Sequence, residues 1–381
     1  MRILFLSWRD IRNPAAGGAE VFMHEVGRRW VDEGHIVTVF TARYKGCPHA
    51  EYVDGIRVIR RGNKLTVYLL AWIYCGRFRD NYDIIVEVKD GGLPWFSKKY
   101  ATMPVVGLIH QTGRSFDEFN LRDSTWFYEV PPILSLVAYV IEPMLLRYYR
   151  DLPIVTVSES TAKDLIALGL SGEDIHIVHG GTALGVNEIP KKENNPILIY
   201  VGRLTNSKRV HEIISAAAIV RNSVPDVKLW IVGEGDNSYL QKLKRLVKLF
   251  DLEGNVRFYG RVSESKKVSL LRRAHVIVVA SIREGWGLVV IEANAYGVPA
   301  VGYDVAGLRD AVRNGQTGLL AKSGDVQALA EGLVRVLRNP QLWQLLAKNS
   351  IEFSKNLSWD RTAKEFMRVL THVVNHCGSE E

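Results

Sequence analysis

The sequence predicts an α/β protein made of two doubly wound domains that face each other across a cleft. Three observations predict it. The chain has 381 residues, enough for two domains with a core each. Short apolar runs alternate with helix-spaced segments along nearly all of it. The alternation breaks once, at Gly185–Pro196 (GVNEIPKKENNP), a polar stretch with two prolines, and then restarts. The expected domains are therefore 1–187 and 188–381, with the last helix a candidate to pack back on the first domain.

In the first half, strands are expected at Ile3–Leu6, Ile36–Phe40, Ile56–Ile59, Ile84–Val88, Val105–Ile109, Ile154–Val157 and Ile175–Val178. Several are continuous apolar runs, as parallel strands covered on both faces require. Helices are expected at Ala19–Val31 and Thr161–Ala167, the latter with Ser160 as its cap. In the second half, strands are expected at Ile197–Val201, Lys228–Val232, Val256–Phe258, His275–Val279 and Pro299–Val301. Helices are expected at Val210–Arg221, Tyr239–Phe250, Glu264–Arg273, Leu288–Tyr296 and Val326–Leu337, and near Gln341–Phe353 and Thr362–His376. Strand–helix alternation of this kind is Rossmann-like.

Composition narrows the function classes. With 47% apolar and 24% charged residues the chain is globular. The longest stretch free of Asp, Glu, Lys and Arg, Tyr100–Gly113, is too short and too polar to span a bilayer, so no membrane-spanning helix is expected. No signal peptide is expected from the opening MRILFLSWRD. Cys47, Cys75 and Cys377 have neither metal nor disulfide spacing, which suits a reducing, cytoplasmic setting. Net charge is +8, and it is uneven: residues 1–190 hold 21 Lys and Arg against 22 Asp and Glu, the remainder 28 against 19. A basic half suits an anionic ligand. The basic residues are scattered without interleaved aromatics, so nucleic acid is not expected as a partner.

Each half opens with a strand and a glycine-bearing turn. In the first it is Gly17-Gly18-Ala19-Glu20, where paired glycines bring backbone N–H groups close to an anion at a helix start. A turn that only satisfies geometry is the alternative. In the second, Gly202 and Arg203 follow the strand and Lys208 comes five residues later. Arg supplies a fork of donors and Lys a point charge, together suited to a diphosphate. Two solvated cations are the alternative. A dinucleotide-binding oxidoreductase is disfavoured: no G-x-G-x-x-G follows the first strand, and Gly233 and Gly235 have Ser238 in the third place. The most informative stretch is Ser281–Gly318. Glu284 precedes Gly285, Trp286 and Gly287, a helix starts near Leu288, and Glu292 lies about one turn inside it. Helix-start N–H groups hold phosphate, and carboxylates accept hydrogen bonds from sugar or ribose hydroxyls.

This E-G-x-G-L…E-A pattern resembles the donor-site signature of retaining glycosyltransferases of family 4, which have the GT-B fold. Gly297–Pro299, Gly315–Leu320, Val232–Gly235, Phe258–Gly260, Gly202–Leu204 with Lys208, Gly17–Glu20 and His110 extend the resemblance over nearly the whole chain. It implies that Arg203 and Lys208 neutralise the donor diphosphate and that the backbone at Gly285–Leu288 binds phosphate. Glu292 would take the ribose and Glu284 the transferred sugar. Gly260, Arg261 and Val262 would lie by the base. Gly17 and Gly18 would face the diphosphate and sugar, and His110 the reacting centre. It implies a UDP- or GDP-linked sugar as substrate, no cofactor and no metal. The chain departs from the family at His179-Gly180-Gly181-Thr182, where Asn-Gly-Val-Asp is common, at Gln111, often Asp, and at Arg209, often Gly.

The expected activity is transfer of a hexosyl unit to a glycan or lipid-linked acceptor, with retention and without a metal. An epimerase of the same fold would use the donor without an acceptor, and a non-catalytic binding protein would not need Glu284, Lys208 and His110 together. A phosphorylase would need a pyridoxal-binding lysine motif that the chain lacks. The apolar stretches Leu65–Gly76, flanked by Arg57, Arg60, Arg61, Lys64, Arg77 and Arg79, and Val130–Tyr149 are either core helices or surfaces for peripheral contact with the inner face of a membrane.

Overall fold

A computed structural model describes residues 1–89, 93–113, 132–183 and 185–377. The chain falls into two compact units. Of the described residues, the first draws on those within 1–113, 137–181 and 359–377, the second on those within 132–136 and 182–358.

The first unit's described strands are β1 (Arg2–Leu6), β2 (Ile36–Thr41), β3 (Ala50–Val53), β4 (Ile56–Arg60), β5 (Ile84–Lys89), β6 (Val105–Ile109), β7 (Ile154–Thr156) and β8 (Ile175–Ile177). They form one sheet in the order β3-β4-β2-β1-β5-β6-β7-β8. All neighbours run parallel except β3 and β4, a hairpin. Seven of these strands match the expected runs; β3 was not expected. Its hairpin turns at Asp54 and Gly55, both at positive φ (47° and 79°), the geometry that an Asp-Gly pair provides. Helices α1 (Gly18–Asp32), α2 (Val67–Arg77), α3 (Pro132–Leu146) and α4 (Glu159–Ala167) belong to this half of the chain. Ser158, not Ser160, caps α4: its hydroxyl accepts the Thr161 N–H, while Ser160 sits inside the first turn.

The second unit's described strands are β9 (Ile197–Val201), β10 (Lys228–Val232), β11 (Val256–Gly260), β12 (Val276–Val279), β13 (Ala300–Tyr303) and β14 (Gly318–Ala321), in the parallel order β11-β10-β9-β12-β13-β14. The unexpected β14 adds an edge strand. Helices α5 (Val210–Ser223), α6 (Asn237–Leu249), α7 (Glu264–Arg273), α8 (Leu288–Asn294), α9 (Leu308–Ala311), α10 (Val326–Leu337) and α11 (Pro340–Lys355) connect the strands or follow them.

The final helix, α12 (Trp359–Cys377), belongs to the first unit. Its Phe366 lies against Trp30 of α1 with ring centroids 5.3 Å apart, and the Trp30 indole N–H donates to the Ala363 carbonyl at 3.0 Å. Both aromatic rings are fully buried. The segment Gly185–Pro196 is no free tether. Val186 N–H donates to Ala295, Glu193 N–H donates to Arg273, and the Thr182 N–H bonds the Leu357 carbonyl at 2.7 Å.

The two apolar stretches form helices that bury one face and expose another. In α2, Val67, Ala71 and Cys75 are buried, while Leu69, Trp72 and Ile73 are about half exposed. In α3, Val137, Val140, Ile141 and Met144 are exposed. Arg60, expected from sequence as a basic flank of α2, is not one. It is fully buried and forks onto Asp10 with two 2.8 Å bonds. Among the described residues no helix is long and apolar enough to cross a membrane.

Candidate active site

In an open parallel sheet, ligands bind beyond the carboxyl ends of the strands where the strand order reverses. In the second unit that point lies between β9 and β12, which are hydrogen-bonded neighbours. Of the residues singled out from sequence, Gly202, Arg203, Lys208 and residues 284–292 follow these two strands, whereas Gly260, Arg261 and Val262 lie at the end of the edge strand β11.

Past β9, Gly202 has φ 155° and leaves room for the Tyr200 hydroxyl, which donates to the Arg203 carbonyl at 2.6 Å. Full burial raises the Tyr200 pKa well above its usual value, so this donor stays protonated. Arg203 is exposed, and a single 3₁₀ turn, Asn206–Lys208, ends on Lys208. Arg209 then takes a left-handed conformation, φ 47°. This is the geometry that glycine takes most easily, so the departure at Arg209 carries backbone strain. Its side chain lies 3.5 Å from Glu212 and donates to Ser323 at 3.2 Å.

Past β12, the loop is held from two sides. Ile282 N–H donates to the Ser207 carbonyl at 2.9 Å and Glu284 N–H to the Ala306 carbonyl at 3.0 Å. At Gly307 a Cβ would sit 2.1 Å from the Glu284 carbonyl oxygen, so only glycine lets the loop close this tightly. The result joins the two loops: Lys208 Nζ donates to Glu284 Oε1 at 2.6 Å, and Ser281 Oγ donates to the same oxygen at 2.6 Å. The pair is mostly buried, with side-chain exposures of 21% and 16%, so it is screened less than a surface ion pair.

Gly285 is half-buried, Trp286 is buried, and Gly287 (φ 90°) precedes Leu288, the first residue of α8. Glu292, on α8, accepts from Lys267 of α7 at 2.8 Å, and Glu264 lies 3.0 Å from the same amine. Burial alone would lower the Lys267 pKa, but the two carboxylates raise it, so the amine stays charged. Gly260 ends β11 at φ 65°, followed by exposed Arg261 and half-buried Val262.

In the first unit the strand order reverses between β1 and β5. Gly17 and Gly18 follow β1, and His110 follows β6, the neighbour of β5. Gly17 caps α1, and its N–H donates to Glu20 Oε2 at 2.6 Å. Glu20 is buried and paired with Arg9 at 2.7 Å. His110 is buried with its ring edge-on to Phe22, centroids 5.2 Å apart.

Sequence reasoning missed Ser281, Lys267 and the Arg9–Glu20 pair. Ser281 carries a faint signal, a hydroxyl three residues before a loop carboxylate. Lys267 carries none, because it meets Glu292 only through packing of α7 near α8.

The family model for glycosyl transferases group 1 matches residues 186–353, and that for Glycosyltransferase Family 4 matches residues 16–185. The D-inositol 3-phosphate glycosyltransferase of Salinispora tropica is 32% identical over 94% of this chain and 82% of its own length. The chain belongs to glycosyltransferase family 4. This glycosyltransferase also shares its fold with solved structures. Sucrose-phosphate synthase from Thermosynechococcus elongatus has a TM-score of 0.81 at 21% identity, covering 98% of this chain and 99% of that one. Anabaena HepE in complex with UDP-glucose has a TM-score of 0.75 at 19% identity, covering 98% and 100%. The glycosyltransferase is thus a hexosyltransferase with two Rossmann-like units, each built on a mostly or wholly parallel sheet.

Proposed function

We propose that this glycosyltransferase moves a hexosyl unit from a UDP- or GDP-linked sugar to a glycan or lipid-linked acceptor, with retention and without a metal ion. The observation that carries the reading is the Lys208–Glu284 pair at the switch point between β9 and β12. A cation held there by a carboxylate is oriented before substrate arrives, and orientation in advance is what makes transition-state charge stabilisation effective. Binding of UDP-glucose by Anabaena HepE, which shares the fold, supports a nucleotide-sugar donor.

In this reading Arg203 and Lys208 meet the diphosphate, joined by the N–H groups at Gly285–Leu288. Glu292 accepts the ribose hydroxyls and Glu284 hydroxyls of the sugar. Gly260, Arg261 and Val262 flank the base. Gly17 and Gly18 let the backbone come close to the diphosphate and sugar at the start of α1, the Gly17 N–H itself being held by Glu20, and His110 meets the transferred sugar. When the glycosidic C–O bond breaks, its electrons go to the diphosphate, where Arg203 and Lys208 stabilise the growing charge. The acceptor hydroxyl attacks the same face of the sugar and gives its proton to the departing phosphate oxygen. The products are the new glycoside and the nucleoside diphosphate. The two cations supply the charge that a metal supplies in other transferases.

The exposed apolar residues of α2 and α3 favour an acceptor presented at a lipid surface, with exposed Arg61, Lys64 and Arg77 near the ends of α2. Calorimetric titration of UDP and GDP, with and without EDTA, tests the donor site. Binding of one of them that survives EDTA is expected; loss of binding in EDTA overturns the metal-free reading. Donor turnover without any acceptor product would instead favour an epimerase.

A further inference from the structure

A sizeable cavity lies away from the candidate active site and shares no residue with it. It has a volume of about 920 Å³ and lies within the second unit. Two chain segments form much of its wall. One is 187–196, which follows the passage of the chain into the second unit at Thr182. The other is α11 along its whole length, from Pro340 to Lys355, and this helix precedes the passage out at Ser358. The two passages are tied side by side by the bond from Thr182 N–H to the Leu357 carbonyl.

The lining combines rigid apolar rings with charged side chains. Pro190, Pro196, Pro340 and the Trp343 indole contribute planar or rigid rings. Trp343 is fixed in orientation, because its N–H donates to the His275 carbonyl at 2.9 Å. Lys192, Lys348 and Lys355 stand against Glu188 and Glu352, and Glu352 is already held by Lys355 at 2.9 Å. Lys192 is the unusual member. It is half-buried, and its amine donates to the Tyr296 carbonyl at 3.0 Å. Burial, with Arg272 nearby, pushes its pKa down to about 7. An ammonium in such a place gains most from an incoming anion, because one carbonyl does not offset its lost hydration. The cavity size is that of a small-molecule site.

We propose that this cavity binds a small planar organic anion, its ring against Trp343 and the prolines and its acid group on Lys192 and Lys348. The site is separate from the donor site. Its walls adjoin both chain passages, so an occupant would brace the two segments against each other.

The test uses the full chain and 2-naphthoate, a flat ring system with one carboxylate, in calorimetric titration. One saturable site is expected, unaffected by UDP. Lys348→Gln and Lys192→Gln should each weaken it at least fivefold, and Gln344→Trp, which fills the cavity from its exposed rim, should abolish it. The uncharged 2-naphthamide should bind at least fivefold more weakly. Absence of naphthoate binding, equal binding of the amide, or affinity unchanged in Lys348→Gln and Gln344→Trp overturns the proposal. Lys348 and Gln344 are exposed, so these two variants keep the test sound even where Lys192→Gln unfolds.

Discussion

Lys208 meets Glu284 and, in the proposed reading, the leaving group as well. Lys208→Met removes the cation and leaves the Glu284 carboxylate mostly buried with only Ser281 as its other described partner. Transfer should fall about 100-fold in kcat/KM, the usual loss when one charge-stabilising group is deleted. Steady-state kinetics checks this, and activity within threefold of the parent would remove Lys208 from the site. Glu292 and His110 should separate binding from chemistry. Glu292→Ala should weaken nucleotide binding about 10- to 100-fold, as loss of hydrogen bonds to a charged group costs about 1.5–3 kcal/mol. His110→Ala should leave donor affinity within about threefold and lower turnover about 100-fold. Calorimetry beside initial rates distinguishes them; equal loss of affinity in both would merge the two roles. Arg203, Lys208, Glu284 and Glu292 stand out in the sequence as candidates because each sits at a fixed offset from a strand end or a glycine, and the Lys208–Glu284 pair is what the fold brings together. Lys267 was not, since 25 residues separate it from Glu292 and only the packing of two helices joins them.

At the scale of elements, glycine placement carries the positioning. Gly307→Ala would push a methyl group toward the Glu284 carbonyl, where backbone leaves no space. The loop must shift, and transfer should drop more than tenfold while the far-ultraviolet circular dichroism stays that of the parent. An unchanged rate would show that the loop tolerates the shift. The helices α2 and α3 make a different prediction. Trp72→Asp and Val140→Asp place charges on exposed apolar faces, so they should leave melting unchanged and reduce co-sedimentation with vesicles of anionic lipid at least fivefold. Sedimentation equal to the parent would detach the acceptor reading from these helices. Strong periodicity made the principal helices readable. Short elements escaped for physical reasons. β3 is mostly uncovered and reads as polar, so it escaped notice although the Asp54-Gly55 turn follows it, and β14 opens with a glycine that the Ala300 carbonyl demands by close approach. The capping residue of α4 was misplaced by two positions because three hydroxyl residues compete there, and only Ser158 has the extended backbone that a cap needs.

For the molecule as a whole, charge burial gives a pH signature. The Lys192 amine has a folded pKa of about 7 against an ordinary 10.5. Between those values the unfolded chain binds the extra proton, so this group's contribution to stability rises as pH goes from 7 toward 10.5. Denaturant midpoints of the parent and Lys192→Met should therefore diverge in the parent's favour across that window. Parallel curves would show that the amine is not desolvated. Arg272 and His275 face the same region, and only Lys192 differs between the two proteins. The two-unit plan was legible from the broken rhythm of strands and helices. The membership of α12 in the first unit is expected from sequence, but the contacts that fix it, Trp30, Phe22, Trp359 and Phe366 meeting across more than 300 positions, follow no local pattern.

That membership reorders events at the ribosome. The second unit is complete once Ser358 has emerged, whereas the first still lacks the helix that covers Trp30 and Phe22. The half translated first is therefore the half finished last. Until α12 arrives, the aromatic face of α1 is a sticky surface on a nascent chain, and chaperones have a defined interval in which to shield it.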